Sequence, residues 1–155
     1  MTLVTGMAAF QFRERVTMLR VWALAASFAS VHFFLLGSTE AALLVGVTVL
    51  RFLVSSVTTD KRLMWLFLGL AIAGFSFTYI GPVSLLPLFA TLVGTVGSFH
   101  GTGNAVRYSS MIAEGTWIIF DIIIWSPVAI VMEVLFFISN LIGLIRHRRA
   151  TDATL

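Results

Sequence analysis

Residues Val31–Phe52, VHFFLLGSTEAALLVGVTVLRF, carry two apolar runs joined by the short polar turn Gly37-Ser38-Thr39-Glu40. Both runs are too long and too apolar for a soluble helical hairpin, and each holds one ionisable residue, His32 before the turn and Arg51 after it. Charge inside such a segment is costly in a bilayer, so it turns to the bundle interior and serves a function. The layout recurs downstream as Asp121, the turn Trp125-Ser126-Pro127, and then Asn140.

Composition agrees. Of 155 residues, 59% are hydrophobic and 11% charged, with a mean hydropathy of +1.01. A soluble domain carries about 25% charged residues, so this is a polytopic membrane protein with no room for a soluble domain. The net charge of +3 comes from residues in the loops between spans, which points to topology and away from a nucleic-acid partner. The absence of cysteine excludes disulfides and thiolate metal sites. No basic n-region precedes a cleavage site, so a removable signal peptide is not expected.

Seven apolar segments follow in order: 2–12, 21–37, 41–57, 63–80, 83–100, 109–125 and 127–145. The first, of eleven residues, rises only about 17 Å against a hydrocarbon core near 30 Å. It is expected either to follow an upstream start or to tilt and thin the bilayer. Arg13, Arg15 and Arg20 follow segment one, Lys61 and Arg62 segment three, Arg107 segment five, and Arg146, Arg148 and Arg149 segment seven. The alternate turns hold no basic residue. This pattern predicts an N-terminus outside and a C-terminus in the cytoplasm.

Displacing the chain by 89 residues aligns segments one to three with five to seven without a gap. His32 then meets Asp121, and Arg51 meets Asn140. The stripe Thr2, Thr5, Gly6, Ala9 meets Thr91, Gly94, Thr95, Ser98. The predicted fold is an all-α membrane bundle of about seven helices, the first cut short. It divides into a three-helix repeat at 1–57, a linker helix at 58–82, a second repeat at 83–149 and a cytoplasmic tail at 150–155. An odd linker makes the repeats parallel, and such transporters place their solute site where the halves meet.

That three-plus-one-plus-three plan resembles the SWEET sugar transporters and their PQ-loop relatives, in which the third helix of each half carries a substrate-facing asparagine. Arg51 and Asn140 fall on those helices. The segments HFFLLG (32–37), LLPLFATLVGT (85–95) and SNLIGLIR (139–146), with Ala41 and Arg51, are similar to the YgjV-type bacterial inner-membrane proteins over nearly the whole chain. That resemblance implies the bacterial cytoplasmic membrane and brings no substrate. The chain departs from the SWEET pattern in having Arg51 where one asparagine stands, and Pro87 has no glutamine after it. Both departures point away from a neutral sugar.

Counting about 1.5 Å per residue from the outer turns gives an outer polar tier of His32, Asp121 and Glu133 and an inner one of Arg51, Asn140 and Glu114. Glu114, Trp117, Asp121 and Trp125 share one helix face by their +3, +4, +4 spacing. Carboxylates interleaved with tryptophan suit a flat or cationic solute, whereas Arg51 can hold an anionic group through its planar fork. The plain alternatives are an Arg51–Glu114 bond between the halves and a His32 satisfied by Asp121 or Glu133. Trp22 and Trp125 read as interfacial belt residues, His100 and His147 as solvated, and Glu40 as wet at the outer mouth. The substrate-binding candidates are Arg51, Asn140, Glu114, Trp117, Asp121, His32 and Glu133.

The expected function is transport of a small solute by alternating access between the halves. A receptor or assembly partner in the membrane is the runner-up. Catalysis is not expected, because three histidines spread over two membrane faces cannot converge on a metal. No metal or cofactor is expected. Segment four, with Gly69, Ala73 and Gly74, offers a close-packing face for a homodimer.

Overall fold

The computed structural model describes residues 1–37, 39–79 and 81–152, with side chains for all of these except 39–41, 78 and 147–152. The expectations for the Glu40 and His147 side chains fall outside that set. The described residues form α1 (Thr2–Ala9), α2 (Arg15–Leu35), α3 (Thr39–Val57), α4 (Lys61–Thr78), a 3-10 turn (Pro82–Ser84), α5 (Leu85–Phe99), α6 (Gly103–Ile123) and α7 (Pro127–Asp152), with no strand among them.

The helix ends follow local chemistry. Asp60 caps α4 by accepting from the Arg62 N–H at 2.8 Å, and Thr102 caps α6 by accepting from the Ala105 N–H at 3.2 Å. Pro87 sits in the first turn of α5, where its missing N–H would have had no intrahelical acceptor. At the end of α6 the Ser126 N–H donates to Asp121 O at 2.9 Å and the Trp125 N–H to Ile122 O at 3.2 Å, with Trp125 left-handed at φ 56°. This is a Schellman closure. At the end of α2, Gly37, φ 78°, donates to Phe34 O at 3.0 Å as Trp125 does to Ile122 O.

Those two closures correct the repeat register. Gly37 and Trp125 are 88 residues apart, as are the starts of α2 and α6 and the starts of α3 and α7. For these two helix pairs the spacing is therefore 88 and not the expected 89. Arg51 then corresponds to Ser139 and His32 to Phe120, so the Arg51–Asn140 and His32–Asp121 equivalences do not hold. Apolar stretches blur by a residue in sequence, whereas a left-handed cap marks one position.

Helices α2 and α6 each pack against the helix before and the helix after them, and also touch one another. Across the halves α1 meets α7 and α3 meets α5, while α4 lies on α5. The core of Ala9, Phe10, Met18, Leu19, Val106 and Phe136 joins α1, α2, α6 and α7. Large apolar side chains such as Leu43, Leu50, Trp65, Phe77, Ile122 and Val128 cover the outside. A surface of that kind suits lipid and would be a liability in water. With lipid outside there is little hydrophobic force between helices, so close packing and hydrogen bonds hold the bundle.

By length and composition, the stretches Arg15–Leu35, Pro82–Phe99 and Pro127–Arg146 can cross a membrane, and Ala42–Val57 is a shorter apolar helix. The eight residues of α1 rise about 12 Å. Helix α6 has 21 residues but carries Arg107, Glu114 and Asp121. Helices α2 and α6 both begin six residues before their apolar segments, at Arg15 and Gly103, because a helix continues wherever its backbone is satisfied, apolar or not.

Candidate functional site

A cavity of about 560 Å³ lies among α3, α4, α5 and α6. It runs from Leu44 and Ser84, near the α2–α3 and α4–α5 turns, down to Arg51 and Thr95. Aromatic rings of Phe67, Phe75, Trp117 and Phe120 form much of its wall, with Trp117 edge-on to Phe120 at 5.5 Å. Arg51 is 9% exposed. Its Nη1 donates to Thr95 Oγ1 at 2.8 Å and to Thr91 O at 3.3 Å, and its guanidinium carbon sits 4.7 Å from the Phe52 ring centroid. Its Nε meets no acceptor. An arginine in a membrane helix costs about 2.5–3.5 kcal/mol on insertion scales, and these neutral contacts offset part of that.

The carboxylates lie elsewhere. Glu114 and Asp121, both buried, are seven residues apart on the face of α6 toward α7. Glu114 feels Glu133 electrostatically and lies beside Asn140, and Glu133 feels Asp121. Asn140 Nδ2 donates to Arg107 O at 2.9 Å, but its Oδ1 and both Glu114 carboxylate oxygens meet no donor. Among the described residues no three His, Asp or Glu side chains are arranged to hold a metal ion.

The structure thus divides the sequence-derived candidates in two. Arg51 and Trp117 line the cavity; Glu114, Asp121, Glu133 and Asn140 form an acidic seam between α6 and α7. His32 joins neither, being exposed with Phe33 as its ring neighbour at 5.9 Å, and no bond to Asp121 or Glu133 forms. The Arg51–Glu114 bond does not form either, since Arg51 points to α5 and Glu114 to α7. Trp22 is not a belt residue. It stacks on Phe52 at 6.0 Å and meets Phe10 and Phe136 edge-on at 5.3 Å inside the core.

A stability cycle checks the Arg51–Glu114 separation. Arg51→Met and Glu114→Gln are expected to act additively, without recovery in the double mutant, when melting is followed in detergent. Glu114→Gln alone should melt no lower than the parent, because a neutral amide of the same shape still faces Asn140 and avoids burying a charge near Glu133. Recovery in the double mutant would restore the pairing.

Sequence reasoning missed the cross-links at the opposite end of the bundle. Arg15 Nη2 donates to Ser98 O at 2.8 Å and to Ser55 O, tying α2 to the ends of α5 and α3. Arg107 Nη1 and Nη2 donate to Phe10 O and Phe12 O at 2.8 and 2.6 Å, just past α1. Arg146 donates to Gln11 O, and Gln11 Nε2 donates to Ser139 Oγ at 3.0 Å. Cations on helix C-terminal carbonyls also complement the helix dipole. The sequence signal was the basic clusters themselves, read there as topology alone.

No curated protein and no solved structure matches the chain. The family described as Imp-YgjV, bacterial inner membrane protein, matches it over residues 1–151. With that match and an all-helical, apolar-surfaced bundle, the chain belongs to the Imp-YgjV family of bacterial inner membrane proteins.

Proposed function

We propose that this inner-membrane protein is a small-solute transporter of SWEET-like and PQ-loop-like plan, working by alternating access between units 1–57 and 83–149 with 58–82 as linker. In this reading its N-terminus is outside, its C-terminus is cytoplasmic, and it performs no chemistry on the solute. One observation carries the reading. A cavity reaches Arg51 from one end of the bundle, while arginine-to-carbonyl cross-links close the end that bears most of the basic residues. By the charge rule that closed end is cytoplasmic, so the reading makes this the outward-facing state. The exchanged contacts α1–α7 and α3–α5 are those a twofold between the halves would produce.

Sealed vesicles carrying the protein are expected to accumulate a solute from a bacterial metabolite extract, read by mass spectrometry against empty vesicles. The chain has no cysteine of its own, so Ser84→Cys places a single thiol at the cavity mouth. A membrane-impermeant maleimide added outside intact cells should label it, and the same modification should block accumulation. Labelling only in inverted vesicles would reverse the orientation. Failure to accumulate any solute would remove transport and leave the receptor or assembly role.

A further inference from the structure

We infer that the cavity beneath Ser84 binds a small organic anion with a flat apolar body, its acid group on Arg51 and its body against Trp117 and the neighbouring rings. This rests on reading the cavity as the solute site. Among the described lining residues Arg51 is the one ionisable group. Among the described residues it has no carboxylate partner, because Glu114, the acid at similar depth, faces α7. A buried cation without a counter-charge calls for a bound anion or a water-filled cavity. The guanidinium carries five N–H donors, and the bonds to Thr91 and Thr95 come from Nη1 alone. Nε is buried, so Nη2, which makes no hydrogen bond and is not sealed off, is the donor left for an acid group.

The rest of the lining defines the body of the ligand. Of the four hydroxyl side chains in the lining, Thr48 donates to Leu44 O and Thr95 to Thr91 O, so two of the four hydroxyl protons are spent on backbone carbonyls. A polyol would need several free donors and acceptors and finds few here. Phe67, Phe75, Trp117 and Phe120 offer apolar and ring contacts instead. About 560 Å³ falls within the range of small-ligand pockets.

The probe is benzoate, with benzyl alcohol and benzylamine as neutral and cationic counterparts of the same shape. Each is titrated into purified full-length protein in nonionic detergent, and the melting temperature and tryptophan fluorescence are read. Benzoate is expected to raise the melting temperature and the other two to leave it unchanged. Arg51→Gln should weaken benzoate about tenfold or more, the worth of one charge-assisted hydrogen bond. A Cβ on Gly74 would have Leu44 Cδ2 as its nearest neighbour, at 3.9 Å, so Gly74→Leu can fill the cavity without disturbing the backbone. That variant should fold and lose benzoate even if Arg51→Gln does not fold.

No response to benzoate, equal responses to all three probes, or benzoate binding retained in Gly74→Leu would overturn the inference. Stabilisation by phosphatidylglycerol but not benzoate would overturn it too, assigning Arg51 to a lipid headgroup. Benzoate binding without solute accumulation in vesicles upholds the anion site and removes the transporter reading. Accumulation of a neutral or cationic solute without benzoate binding does the reverse.

Discussion

Arg107→Met is expected to lower the stability of the bundle by about 3–6 kcal/mol, from two charge-assisted hydrogen bonds at about 1.5–3 kcal/mol each. Arg107 is 2% exposed, and both its terminal nitrogens are bonded to carbonyls just past α1. Methionine fills much of the volume but strands Phe10 O and Phe12 O, one buried and one near the surface. A lysine in its place presents a single ammonium and should recover only part of the loss, because one point cannot span two carbonyls as a fork does. Thermal unfolding of the purified protein in detergent measures both. A melting point unchanged in Arg107→Met would mean that the contact contributes nothing to closing this end.

The second large effect is expected at Gly97. A Cβ there would lie 1.6 Å from Ser109 Oγ and 2.2 Å from Ser109 Cβ. Rotating the serine side chain moves the oxygen but not its Cβ, so Gly97→Ala must push α5 and α6 apart. Overpacking of this kind costs about 1–3 kcal/mol, and the backbone-level clash puts it at the upper end. Ser109→Gly in the same chain removes both clashing atoms. The double mutant should therefore melt above Gly97→Ala, short of the parent by about 1 kcal/mol for a glycine inside α6. A double mutant no better than the single would show that the helices separate at no cost.

His32 and Arg51 show where sequence reading succeeds and fails. Both are ionisable residues in apolar runs, and depth counting treats them alike. The structure buries Arg51 against Thr91 and Thr95 and leaves His32 on the outside. Position along a helix is legible from the chain; the direction a side chain faces depends on which helices lie beside it. The same limit applies to Glu114 and Trp117, three residues apart on one helical face. Their side chains are close enough in angle to share a site, yet α5 and α7 flank α6 on two sides and take one each.

By itself the sequence determined the membrane class, the helical order and the two interhelical turns. These follow from hydropathy and local turn chemistry, which act over a few residues and need no partner. It also placed the basic residues at one end of the bundle in the topological reading. The tertiary structure alone decided the cavity, the loss of the Arg51–Glu114 pairing and the bonds made by those basic residues. It decided the 88-residue spacing of the two caps as well, because Gly37 and Trp125 are unlike as residues and alike only as left-handed caps. Each of these depends on groups brought together from distant parts of the chain, as Arg107 is to Phe10 across 97 residues, and no local pattern encodes that distance.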